Sequence, residues 1–277
     1  MDYTEFAPSS TLRPFVRCYW TLTAPIRATT DATDAVAPEP ALPDGSPEFI
    51  VNAADPFTAH RRDSPHAERQ AQAILVGQIT KPFAVAPTGR VELFAVRFRP
   101  HGASLIADDM AAITNDWIDV DQLPVRGLTD LTREILHAVN PDARIAACDR
   151  VLSALLIDRP PDPDVHAAVD AIEESSGTLA LDELAATLRR SPRHLQRQFA
   201  RTVGISPKLL ARIRRFQRVF AAWRDDPSSL ARVAAECGYF DQPHLIKDFR
   251  DFAGHAPSAF LANQPEFTQL FLPNARR

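Results

Sequence analysis

Between Arg189 and Arg218 the chain places ten cationic side chains (Arg189, Arg190, Arg193, Arg197, Arg201, Lys208, Arg212, Arg214, Arg215 and Arg218) and neither an Asp nor a Glu. Guanidinium groups at this density suit pairing with a polyanion such as the phosphate backbone of a nucleic acid. The rest of the chain sharpens the contrast. Overall it carries net -4, yet residues 1–164 hold 15 Lys+Arg against 23 Asp+Glu (net -8) and residues 165–277 hold 16 against 12 (net +4). The two halves face different partners.

Other chemistries find little support. Cys18, Cys148 and Cys237 are odd in number and far apart, which argues against a disulfide framework or a CxxC metal site and for buried small apolar side chains. The eight His show no HxH or HExxH spacing, so no metal centre is expected. There is no Ser-His-Asp, paired-carboxylate or Gly-rich phosphate motif, so no catalytic residue and no cofactor is expected either. The N-terminus lacks a basic start followed by an apolar stretch, and no run of about 18 apolar residues occurs, so the expected location is the cytoplasm and no membrane partner is expected.

The cationic segment has to be held by folded elements, and 277 residues at 45% hydrophobic content suffice for two cores. The expected fold class is α+β. In the first half, runs rich in β-branched and aromatic residues (Phe15 to Leu22, Glu48 to Asn52, Ala73 to Ile79, Val91 to Phe98) alternate with Pro-rich breaks, the pattern of a small barrel or sandwich. Helical periodicity follows, weakly over Ala103 to Met110 and clearly over Leu128 to Val139 and Asp142 to Ile157. Three prolines in Arg159 to Asp164 predict a stiff linker, giving domains at 1–158 and 165–277 joined by 159–164. Past Val165 the chain reads as short helices. Two of them (Leu181 to Leu188, then Ser191-Pro192 to Val203, with Ser191 as N-cap) form a helix-turn-helix at about 181–203. A second, at about 230–252, pairs Leu230 to Cys237 with a helix starting at Asp241 or Gln242. The long basic helix Pro207 to Arg224 joins them, so the reading unit is duplicated.

The motifs Leu181-Asp-Glu-Leu-Ala185, Ser191-Pro-Arg-His-Leu195-Gln-Arg-Gln-Phe199, Val233-Ala-Ala-Glu-Cys-Gly238-Tyr-Phe-Asp-Gln242-Pro-His-Leu245-Ile-Lys-Asp-Phe249 and Gly254-His-Ala-Pro257-Ser-Ala-Phe260 together resemble the C-terminal domain of AraC-type transcription regulators. The resemblance covers about residues 165 to 262. It implies seven helices forming two helix-turn-helix units braced by one long helix, with the second helix of each unit in successive major-groove segments of double-stranded DNA. By position, Arg193, Gln196 and Arg197 would read bases in the first unit and Gln242, His244 and Lys247 in the second. The chemistry agrees: Arg can grip guanine O6 and N7 together, and Gln can pair with adenine N6 and N7. Ser191, Arg201, Arg214, Arg218 and Arg250 are assigned to the DNA backbone. Two departures stand out. Phe240 and Pro243 replace small or polar residues, and Pro243 lacks an N–H for a phosphate, so the second unit is expected to bind more weakly or read fewer bases. Arg189 and Arg190 occupy a turn where many relatives have Gly.

Residues about 1 to 125, through Leu12-Arg-Pro-Phe-Val16, Tyr19-Trp20, Leu42-Pro-Asp-Gly45, Gly77-Gln-Ile-Thr80 and Val96-Arg-Phe-Arg-Pro-His-Gly102, resemble a β-rich domain that commonly precedes AraC-type DNA-binding domains. That implies a regulatory input module, cupin-like in better-known relatives, which binds a small effector or dimerises. Trp20, Phe49, Phe94, Arg97, Phe98 and Arg99 are the candidate pocket residues. The expected function is a DNA-binding transcription regulator, homodimeric or monomeric, with RNA polymerase a candidate contact. An alternative first half is a ligand-free protein-contact module. A remote one is a DNA-repair alkyl transferase, whose thiolate would have to be Cys18 or Cys148.

Overall fold

Side chains along a strand alternate between its two faces, and in this protein each face has its own destination. The computed structural model describes residues 1–24, 38–60, 64, 66–225 and 229–262; residues 263–277, the end of the expected C-terminal domain, lie outside them. Ten strands come first among the described residues: β1 (Asp2–Phe6), β2 (Val16–Ala24), β3 (Glu39–Ala41), β4 (Glu48–Asn52), β5 (Thr58–His60), β6 (Ala67–Arg69), β7 (Ala73–Val76), β8 (Phe83–Ala86), β9 (Val91–Phe98) and β10 (Trp117–Asp119). They pair antiparallel into a six-stranded sheet, β1-β2-β9-β4-β7-β10, and a four-stranded one, β3-β8-β5-β6. The four longer runs read from sequence correspond to β2, β4, β7 and β9. Most of the others have only three or four residues, too few to carry alternation, and the five-residue β1 mixes acidic and polar side chains with only Tyr3 and Phe6.

One face of the larger sheet, with Phe49, Val51, Leu75, Phe94, Val96 and Phe98, packs under α1 (Leu128–His137) and α2 (Pro141–Asp158), whose Leu131, Ile135, Cys148 and Leu152 complete that core. The opposite face, with Trp20, Leu22, Ile50, Leu93 and Ala95, turns toward Phe83 and Val85 of the smaller sheet and Phe57 just before β5. Between strand and helix the weak helical signal at 103–110 resolves into two 3-10 turns, Gly102–Leu105 and Met110–Ile113.

Seven helices follow among the described residues: α3 (Pro163–Glu174), α4 (Leu181–Thr187), α5 (Pro192–Val203), α6 (Pro207–Asp225), α7 (Leu230–Glu236), α8 (Gln242–Ala253) and α9 (Pro257–Ala262). Helix α3 starts earlier than its apolar periodicity suggests, because Pro163 is tolerated in the first turn and Asp162 caps it by accepting from the N–H groups of Asp164 and Val165. A single core runs through these helices. It gathers Val169, Leu184, Leu195, Phe199, Phe216, Val233, Leu245 and Phe249, and also takes in Leu42 from the β-rich part. Helix α6 packs against α3, α5, α7 and α8, so it braces both reading units. Among the described residues no helix is long and apolar enough to cross a membrane.

Candidate nucleic-acid interface and effector cavity

The two helix-turn-helix units are built alike. Helices α4 and α7 have seven residues each, α5 and α8 twelve. Ser191 caps α5 by accepting from His194 N at 3.2 Å, and Asp241 caps α8 by accepting from His244 N at 2.8 Å. In each turn one residue adopts left-handed backbone, at matching places after the first helix: Gly238 (φ 77) in the second unit and Arg189 (φ 52) in the first. The first turn therefore takes with an Arg the left-handed conformation that the second takes with a Gly, and the Arg carries a steric penalty that Gly avoids. The second turn is one residue longer. Tyr239 is buried, and Phe240 stands 92% exposed immediately before the cap.

On α5, Leu195 and Phe199 point into the core while Arg193, Gln196 and Arg197 are exposed. On α8, Leu245, Phe249 and Phe252 are buried; Gln242 and Lys247 are exposed and His244 is half-buried. Each unit thus presents its three expected base readers outside the core. Pro243 occupies the second helical position, within the turn whose N–H groups lack intrahelical partners.

The cationic segment is not uniform. Acids distant in sequence reach several of its members. Arg190 pairs with Asp164 at 2.5 Å, and Arg212 with Asp248 at 2.7 Å and Asp251 at 2.8 Å. Arg215 donates to Gly177 O at 2.7 Å and Arg218 to Glu236 O at 3.0 Å. The sequence expectation placing Arg214 at the DNA backbone is corrected. Its Nη1 donates to Asp44 O at 2.9 Å and its Nη2 pairs with Glu173, inside a seam with the β-rich part. A count over thirty consecutive residues sees no acid because these partners lie outside the segment. Arg201, exposed on α5, also donates to Asp108 O at 3.3 Å, and Arg250 is exposed near the end of α8.

That seam is dense. Glu173 receives Arg17 at 2.7 Å, Arg99 at 2.5 Å and Arg214. Burial alone would raise its pKa, but the three guanidinium groups pull it down to about 2. Burial, then the neighbouring Arg17, lowers Arg214 to about 10. His101, 1% exposed, stacks on His166 of α3 with ring centroids 4.6 Å apart, and burial followed by the nearby His166 and Arg99 holds it near 3, so it is neutral at ordinary pH. Thr114 Oγ1 donates to Gly204 O at 2.7 Å, tying the 3-10 turns to the end of α5.

The cavity lies between the two sheets, a space of about 90 Å³ lined by Trp20, Leu42, Asp44, Ser46, Glu48, Ile50, Asn52, Phe57, Phe83, Leu93 and Arg97 among others. Of the six expected pocket residues it gathers Trp20 and Arg97. Phe49, Phe94 and Phe98 are corrected to the helix-covered core: they sit on the opposite face of β4 and β9, one step out of phase. Arg99 is corrected to the seam, paired with Asp170 at 2.6 Å and Glu173. Glu48, which sequence reading missed, stands directly across from Arg97 in the β4–β9 ladder and accepts its Nε at 2.6 Å, and the Trp20 indole donates to the same oxygen at 3.1 Å. Burial by itself would lower Arg97, but the carboxylates of Glu48 and Asp44 outweigh it and hold the guanidinium above its usual range. Glu48 is raised by burial, against the pull of Arg97. Cys18, Cys148 and Cys237 are all buried, and burial pushes the Cys148 thiol up and Cys237 to about 11.

One stretch belongs to both sites. Leu42, Asp44 and Ser46 line the cavity, while Leu42 joins the helical core, Pro43 O accepts from Gln217 Nε2 of α6 at 2.5 Å, and Asp44 O accepts from Arg214.

Comparison with known proteins matches a domain of unknown function (DUF6597) to residues 4–119 and a helix-turn-helix domain to residues 184–263. Among solved structures the chain is similar to ToxT from Vibrio cholerae, at 11% identity and TM-score 0.49, over 88% of this chain and 98% of that one. It is also similar to the unsaturated fatty acid bound form of ToxT from Vibrio cholerae, at 13% identity and TM-score 0.45, over 82% and 90%. No sequence among curated proteins matches it. Two complete helix-turn-helix units braced on one long helix, with the family match along 184–263, make the C-terminal part of this chain a helix-turn-helix domain.

Proposed function

We propose that the chain is a DNA-binding transcription regulator of the AraC type, that it reads DNA through Arg193, Gln196 and Arg197 of α5 and Gln242, His244 and Lys247 of α8, in successive major-groove segments, and that its β-rich half senses a small effector. The division lies at 159–164, with 1–158 as the sensing body and 165–277 as the reading one. Ser191, Arg201, Arg218 and Arg250 serve the phosphates, and Arg214 is a brace between the halves. The carrying observation is the shared stretch Leu42–Ser46, which walls the cavity and holds α6, the helix common to both reading units. A molecule seated in the cavity touches the residues that set α6, which favours sensing over a ligand-free contact module. Cys18 and Cys148, the two thiols alkyl transfer would call on, are buried, and burial pushes the Cys148 thiol up, which does not favour an activated nucleophile.

The test is titration of the full chain with the DNA upstream of its own gene at two salt concentrations. Affinity should fall steeply with salt, because neutralised phosphates release counterions. Arg197→Ala should lose discrimination at particular bases, and Arg250→Ala should weaken all sequences alike. Salt-insensitive binding would remove the reading.

A further inference from the structure

The charged groups around the cavity are lopsided in sign. Its only lining cation, among the described residues, is Arg97. That guanidinium is 1% exposed and already engaged: Nε with Glu48 at 2.6 Å and within 3.9 Å of Asp44, Nη1 within 3.5 Å of Glu5. Three carboxylates thus surround one cation, and an incoming anion would have to displace one of them. The opposite holds for a donor. Asn52, 1% exposed, commits its Nδ2 to Ala71 O at 3.1 Å, which fixes the amide and leaves Oδ1 buried with no partner. The Oγ of Ser46, also on the cavity wall, is likewise unpartnered. Buried acceptors without donors are uncommon in folded proteins and mark places where a donor belongs. Apart from the Gln70 amide, the remaining walls, Trp20, Ile50, Phe57, Phe83, Val85 and Leu93 among them, offer hydrocarbon and aromatic faces, which suit both an alkyl chain and a nearby cation.

We propose that the cavity is the site of a short-chain apolar amine, its ammonium donating to Asn52 Oδ1 beside the Asp44 and Glu48 carboxylates and its alkyl group against the aromatic walls. This rests on the reading that the β-rich half senses an effector, and it names the chemical class sensed. A net excess of carboxylate balances the ligand's charge, and Asn52 supplies direction. At about 90 Å³ the space limits the hydrocarbon to a few carbons, since a 150 Å³ cavity is one that takes benzene. Occupancy bears on Leu42, Asp44 and Ser46, and so on α6.

The experiment uses the full chain and three probes of equal length: n-butylamine, 1-butanol and butanoate. Binding is followed by calorimetry and thermal unfolding, and DNA affinity is followed in parallel. Butylamine should bind at least tenfold more tightly than butanol and raise the unfolding midpoint, and butanoate should do neither. Asn52→Leu should weaken the amine about tenfold, and Val85→Trp, which fills the space, should abolish it; either variant suffices if the other fails to fold. Preference for butanoate or butanol, accompanied by a change in DNA affinity, overturns the amine class and leaves sensing standing. Amine binding that responds to both variants while DNA affinity stays fixed upholds the class and overturns sensing. No binding by any of the three overturns the proposal.

Discussion

The two reading units share helix lengths, caps and core positions, yet they differ in how they are held. The first is tied to the β-rich half: Thr114 and Asp108 bond the end of α5, and the 3-10 turns pack along it. It also carries the denser exposed charge, with Arg193 and Arg197 against Gln242 and Lys247. The second has the longer turn, with Phe240 outside, and its α8 is pinned to α6 by Arg212 through Asp248 and Asp251. Under the proposed reading of DNA, the first unit offers the stronger, more controllable contact and the second a lighter one. Salt and ligand should therefore act mainly through the first.

The largest test of that contrast is Glu173→Gln, which leaves Arg17, Arg99 and Arg214 around a neutral amide. Removing one partner of a buried pair costs about 3–5 kcal/mol, and solvent access at Glu173 puts the expectation near the lower end. The loss should appear in denaturant unfolding. Its acid counterpart has a definite sign: with the folded pKa of Glu173 lowered to about 2, its stabilisation is present above the ordinary carboxylate range and is lost as pH falls toward about 2.

Next in size is DNA affinity. Arg193→Ala combined with Arg197→Ala should cost about 2–5 kcal/mol, whereas Gln242→Ala with Lys247→Ala should cost roughly half as much, read by fluorescence anisotropy on one operator. Equal losses would erase the distinction between the units.

A matched pair probes the docking itself. Gly204 and Gly254 end α5 and α8 in the same left-handed geometry, so Ala at either pays a similar backbone cost of about 1 kcal/mol. A Cβ at Gly204 would also meet Met110 O at 2.8 Å, while one at Gly254 would find Pro82 Cγ at a comfortable 3.5 Å. Gly204→Ala should therefore destabilise by about 1–2 kcal/mol more than Gly254→Ala, by denaturant unfolding. The surplus measures the first unit's attachment.

His101 provides a pH window of its own. Its folded pKa of about 3 lies below the ordinary imidazole value, so it favours the folded state above about pH 6.5, and that contribution fades as pH drops toward 3. Between pH 6.5 and 5, before carboxylates titrate, the wild-type unfolding midpoint should fall, and His101→Leu should flatten the slope. The smallest effect is Arg189→Gly, which relieves left-handed strain at an exposed position and should stabilise by up to about 1 kcal/mol.

The helical half was largely legible in sequence because its signals are local: Ser191 and Pro192 announce a helix start, and Leu195 and Phe199 give its buried stripe. Helix α8 likewise declares itself through Asp241 and the spacing of Leu245, Phe249 and Phe252. The cavity was legible only in part. Trp20 and Arg97 were found, but aromatic content drew attention to Phe49, Phe94 and Phe98, and strand parity, which needs the register, puts those three on the far face. Once Glu48 is known to face Arg97 across the ladder, the site follows by counting in twos. The charges failed for a different reason. Arg212 and Arg214 look available in a linear count, and their carboxylates arrive from 36 and 41 residues away.

The stretch from Leu42 to Ser46 is a partition one peptide thick, with a small chamber on one side and, on the other, α6, the helix that braces both units. Under the proposed sensing, a message crossing it would need no relay through the protein interior. Tolerance to substitution should therefore collapse at these five positions and recover abruptly on either side, like a drumskin stretched on an otherwise forgiving frame.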